Sequence, residues 1–127
     1  MVFEVKSTKS LDQIGRDIAD AASRHKFGVL TVHDLQKKMQ EKGIQMDREV
    51  RIFEVCNPKQ AKEVIEANPT VSTALPCRIS VYREGEGYTL STLRPTDTMK
   101  AFDDASIDDV AKQVEVAMIA IMKEAAG

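Results

Sequence analysis

The chain has 127 residues, 43% of them hydrophobic and 30% charged, with a net charge of -2 and a pI near 5.7. That length predicts a single domain, 1-127, whose core needs no metal or disulfide staple, and the composition excludes disorder. The acidic balance, with no basic stripe, excludes a nucleic-acid-binding surface. The longest apolar run, Val116 to Met122, falls far short of the about 20 residues that cross a bilayer. Glu4 and Lys6 likewise break up the first residues too early for a signal peptide. No nucleic acid and no membrane is expected as a partner, and the two cysteines, Cys56 and Cys77, are expected as reduced thiols of a cytoplasmic protein.

In chain order, Val2 to Val5 reads as a first strand. Ser10 and Gln13 then have the spacing of a capping box, ahead of a helix from Leu11 to Arg24 with Leu11, Ile14, Ile18, Ala21 and Ala22 on one stripe. Phe27 to Val32 is a second strand, and Asp34 caps a short helix carrying Leu35 and Met39 that stops at Gly43. Glu49 to Val55 is a strand without clear alternation, which predicts cover on both faces. Asn57 caps and Pro58 starts a helix to Ala67, ended by Asn68-Pro69, and Thr70 to Leu75 is expected as a loop.

From Cys77, alternation of Cys77, Ile79 and Val81 with Arg78, Ser80 and Tyr82 predicts a strand with one inward face. Gly85-Glu86-Gly87 turns it into a hairpin partner, Tyr88 to Arg94, closed by Pro95. Thr96 to Ala105 is expected as a loop, and Ser106 as the cap of a final helix. That helix carries Val110, Val114, Ala117, Met118, Ile121 and Met122 on its stripe. Between Val116 and Met122 it is apolar nearly all round, so something besides a sheet should cover it.

The run Glu54-Val55-Cys56-Asn57-Pro58, Ala61 in the helix after it, Leu75-Pro76-Cys77 leading into Ile79-Ser80-Val81-Tyr82, and Arg94-Pro95 with Met99 together resemble the "domain of unknown function 302" family. The resemblance covers the chain from its first helix to its last. It implies an α+β fold of the TATA-binding-protein-like class, a mainly antiparallel curved sheet packed by helices, and it implies a homodimer. It brings no established reaction, leaves any cofactor unknown, and marks Cys56, Asn57, Pro58, Leu75, Pro76 and Cys77 as signature positions without a role.

Two kinds of site compete. Cys56 precedes a helix start, where free amides and the dipole favour a thiolate, so a thiol-dependent redox or metal-binding function centred on Cys56 and Cys77 is one reading. The other is that both thiols are small buried side chains. Glu54 is a candidate inward carboxylate beside Cys56, where its pKa would rise. His25 and His33 add metal-ligand types, but no paired spacing supports a zinc site. Arg78, Tyr82, Arg83 and Arg94 are expected on one face of the hairpin, as anion clamp or as cross-strand ion pairs with Glu84 and Glu86. Met118, Ile119, Ile121 and Met122 are the candidate dimer face or apolar pocket, with burial under the chain's own helices as the alternative. No catalytic motif is present, and a non-catalytic module for a small-molecule ligand or a second copy is the leading expectation.

Overall fold

The computed structural model describes residues 1–127. Its elements are β1 (Val2–Ser7), α1 (Leu11–Arg24), β2 (Gly28–Asp34), α2 (Leu35–Glu41), β3 (Val50–Cys56), α3 (Pro58–Ala67), β4 (Cys77–Glu84), β5 (Gly87–Leu93), α4 (Pro95–Thr98) and α5 (Ala105–Ala126). Two 3-10 helices, Pro69–Ala74 and Met99–Phe102, occupy the segments flanking the hairpin. The strands form one antiparallel sheet in the order β1-β5-β4-β3-β2, with α1 and α5 packed on one face, which is the expected α+β architecture.

Local chemistry sets most boundaries. Ser10 accepts from the Gln13 amide at the start of α1, and the apolar stripe Leu11, Ile14, Ile18, Ala21 and Ala22 is buried as its spacing predicts. Gly15 lets that helix approach the sheet, since a β-carbon there would stand 3.3 Å from the Phe53 ring. The β4–β5 hairpin turns at Gly85, whose φ is 62°, and Gly87 lies so close to β1 that a β-carbon would sit 2.6 Å from the Ser7 carbonyl oxygen.

Two cores result. The larger has 17 buried residues between the sheet and α1 with the C-terminal half of α5, including Ile18, Phe53, Ile79, Leu90 and Met118. The smaller has six, Val64, Val71, Met99, Ile107, Val110 and Ala111, held among α3, the two 3-10 helices and the N-terminal half of α5. Val114 packs against both. The far end of α5 is fastened by Ser7 Oγ, which donates to Ala126 O at 2.8 Å, and by Lys9 Nζ, which donates to Ala125 O at 3.0 Å and to Asp17 Oδ2 at 2.8 Å. These contacts satisfy carbonyls that a helix end leaves free.

Several expectations need correction. The segments 69–74 and 95–102 are short helices rather than loops, and the cap of α5 is Asp104, whose Oδ1 accepts from the Ser106 amide and hydroxyl and the Ile107 amide. The strand β3 is covered on one face only: Phe53 and Val55 are buried beneath helices, while Ile52 and Glu54 lie on the open face. The cover for the apolar part of α5 is α1 together with the sheet. Met118, Ile121 and Met122 are therefore fully buried in the chain's own larger core and offer neither a free face nor a pocket wall, Ile119 is half-buried, and Val116 points outward.

Candidate functional site

The seam between the two cores is incompletely filled. An open pocket there leaves about 30 Å³ for the centre of a water-sized group. Its walls come from both cores: Phe27, Val55 and Cys77 from the sheet side, Val64, Met99, Ile107, Val110 and Ala111 from the smaller core, and Ala61, Leu75, Pro95 and Val114 between them. Cys56, Asn57 and Gln60 complete the lining. No ionisable side chain other than the two thiols lines it.

The start of α3 places the polar groups. Asn57 Oδ1 accepts from the Gln60 amide at 3.1 Å, so the cap predicted from sequence is formed and Asn57 has spent its acceptor. Gln60 lies one turn in, and its side chain does not reach back to the cap. Its Nε2 instead donates to Gln113 Oε1 on α5 at 3.2 Å. Gln60 Oε1 is buried without a hydrogen-bond partner. Behind Pro95, outside the lining, Thr96 N and Oγ1 both donate to Glu115 Oε1, at 3.1 and 2.7 Å. Arg94 pairs with the same carboxylate and lies over the Phe3 ring. These contacts tie α4 to α5 and hold Pro95 and Met99 against the pocket.

Both thiols are unbridged. Burial pushes the Cys77 thiol up to about 11, with a smaller contribution from Cys56. Burial also raises the Cys56 thiol, the opposite of the direction expected from its place before a helix. Both groups are protonated at neutral pH. An outer cavity of about 90 Å³, lined by Pro76, Arg78, Thr92 and Thr98 among others, shares Cys77 and Pro95 with the pocket.

The signature positions thus divide. Cys56, Asn57, Leu75 and Cys77 line the pocket; Pro76 belongs to the outer cavity and Pro58 is exposed at the helix start. Glu54 is not an inward neighbour of Cys56. It lies on the open sheet face, opposite Arg78, with Oε1 2.5 Å from His33 Nε2. His25 meets Glu124 at the far ends of α1 and α5, so the candidate metal ligands are not gathered, and no three His, Cys, Asp or Glu side chains group as a metal site. The expected hairpin cluster also separates: Arg78 and Tyr82 face the open side, Arg83 packs on Tyr88 and pairs with Glu49, and Arg94 pairs with Glu115. Gln60 was not marked by sequence. Only the contact with Gln113 on α5 shows what its side chain does.

A family model described as "Domain of unknown function DUF302" matches residues 3–125. Among solved structures, the chain is similar to the crystal structure of an uncharacterized conserved DUF302 protein from Bacillus stearothermophilus, at 26% sequence identity and a TM-score of 0.93, covering 98% of this chain and 97% of that one. No curated protein matches the sequence. No helix is long and apolar enough to cross a membrane.

Proposed function

We propose that this chain, which belongs to the DUF302 family, is a non-catalytic binding module that takes a small, mainly apolar ligand into the seam between its two cores. One observation carries the reading: residues from two stretches about 20 positions apart, Cys56-Asn57 and Leu75 with Cys77, converge on a single apolar pocket. Pockets of this make-up, apolar with a few placed polar atoms, hold small molecules by shape and orient them by those atoms. Cytoplasmic placement is part of the reading and is supported by the two unbridged thiols. Homodimerisation enters on the family resemblance, with a face other than Met118, Ile121 and Met122, and sedimentation equilibrium tests it.

The test of the ligand reading is mass spectrometry of solvent extracts from protein purified under native conditions. A small molecule released by the wild type and missing from Ala61→Leu, which fills the pocket from the α3 side, is the expected result. Identical extracts from the two proteins, or an empty wild type, would remove the reading.

A thiol-dependent function is the second reading, favoured by the fact that the two cysteines of the chain line the same pocket. It expects metal uptake or oxidation behaviour that changes in Cys56→Ser and Cys77→Ser. Unchanged behaviour in both variants sinks it.

A further inference from the structure

We infer that two copies of the chain join edge to edge through β1, antiparallel about a twofold axis at Val5, so that their two five-stranded sheets become one. This names the face for the homodimer proposed above and rests on that reading. β1 and β2 are the two edges of the sheet. The register of β2 shifts between Val29 and Thr31, with Leu30 standing 60% exposed, and such a bulge blunts an edge against further pairing. β1 has no such break, and pairs with β5 in a single register from Val2 to Ser7.

The alternation of the ladder decides which backbone groups stay free. The Arg94 amide donates to Met1 O at 2.8 Å. Phe3, Val5 and Ser7 therefore spend their backbone groups on β5, and Val2, Glu4 and Lys6 turn theirs outward. A second β1 must match these even positions with even ones. The register centred on Val5 does so, setting Glu4 opposite Lys6 of the second copy and Lys6 opposite its Glu4. Both pairs lie on the open sheet face, while Val5 meets its own copy on the face the helices cover, where it is only half-buried in the single chain. Sliding one step either way sets Glu4 against Glu4 or Lys6 against Lys6. Opposite charges across a strand pair are favourable and like charges unfavourable, so the strand specifies its own register. Charged residues on an edge deter other strands, and this pair admits a second copy of itself. Within one chain Glu4 faces Ser91 and Lys6 faces Thr89, and neither enters an ion pair.

Sedimentation equilibrium of the full chain over a range of concentrations, read together with amide hydrogen exchange, tests the assignment. The expected wild type is a dimer in which exchange at Glu4 and Lys6 slows as concentration rises. Glu4→Lys sets like charges opposite twice, by symmetry, and is expected to raise the dissociation constant about tenfold or more. Adding Lys6→Glu to that variant restores opposite charges in the same register, and should return the dissociation constant close to the wild-type value. A dimer that is indifferent to Glu4→Lys, or that the double change fails to restore, overturns the β1 face and leaves the homodimer reading standing. A monomer at every concentration overturns both. Wild-type exchange that stays fast at Glu4 and Lys6 in a dimer also overturns the face, so the matter is decided even if a variant folds poorly.

Discussion

The two cores of this protein are made differently. The larger lies on a continuous antiparallel sheet whose neighbouring strands are each paired over five or more residues, and its central side chains, Ile14, Ile18, Ile79, Leu90 and Met118, are wholly excluded from water. The smaller is assembled from a ten-residue helix, two 3-10 helices and half of α5, and its six members come from segments with few backbone bonds to one another. A sheet gives fixed spacing and so admits close packing. Short helices joined by turns meet the sheet at whatever angle their caps allow, and the misfit along the join is the pocket. The pocket is a by-product of joining a well-specified core to a loosely specified one.

The strongest way to break that contrast is to cut into the larger core. Ile79→Ala removes a wholly buried side chain from the central strand, and is expected to cost roughly 2–5 kcal/mol of global stability in urea denaturation. Amide exchange should accelerate throughout the chain; acceleration confined to β4 would show that the sheet is not one cooperative unit.

Alkaline titration acts at the seam. The Cys77 thiol is raised in the folded state to about 11, so its contribution is fully present below its unfolded pKa near 9 and is lost as pH rises through about 11. A rise of that size corresponds to roughly 2–3 kcal/mol, and Cys77→Ala should flatten the decline of stability over that window. An unaltered slope in the variant would mean that the thiol is not buried as described.

The smaller core should yield locally. Val110→Ala, at a site 6% exposed, is expected to cost about 1–2 kcal/mol. Protection should fall in α3 and 69–74 before it falls in the sheet. Asn57→Ala removes the cap of α3 and should cost about 1 kcal/mol in the same region. Global loss from either change would erase the distinction between the cores.

The gentlest probe is acid. Lys9 beside Asp17 and His25 beside Glu124 hold those carboxyls below their usual range at the α1–α5 ends, while Lys100 does so for Asp97 and the Ser106 hydroxyl for Asp104 around the smaller core. Lowered pKa values give stability that is present above the unfolded carboxylate range and is lost as pH falls through the folded values. Glu124 is exposed and the other three are half-buried at the surface, so a gradual decline below about pH 4 is expected rather than a sharp transition. Thermal melts of Asp104→Asn and Asp17→Asn should each show a weaker acid dependence.

Much of the architecture was legible in the chain because it is written in local periodicity. The Cys77 to Arg94 hairpin, the α1 stripe and the Asn57-Pro58 helix start each depend on residues within one or two turns of each other. The 3-10 helices and α4 were not, because four to six residues carry too little pattern to distinguish them from loop. The apolar surround of α5 was visible, yet its cover was not: α1 and the sheet together bury Met118, Ile121 and Met122, while Val116 stays exposed.

The sequence by itself determined the strands and longer helices, the caps Ser10, Asp34 and Asn57, the hairpin turn, and the two motifs that carry the cysteines, since each follows from side chains acting on their own neighbourhood. Only the tertiary structure decided what those motifs enclose. Burial, not the nearby helix start, governs the thiols, Glu54 turns to the open face by strand parity, and Gln60 becomes an unpartnered acceptor because Gln113, 53 residues away, takes its amide. Each of these depends on which distant surfaces exclude water from a group, and that is a property of packing rather than of any local stretch of chain.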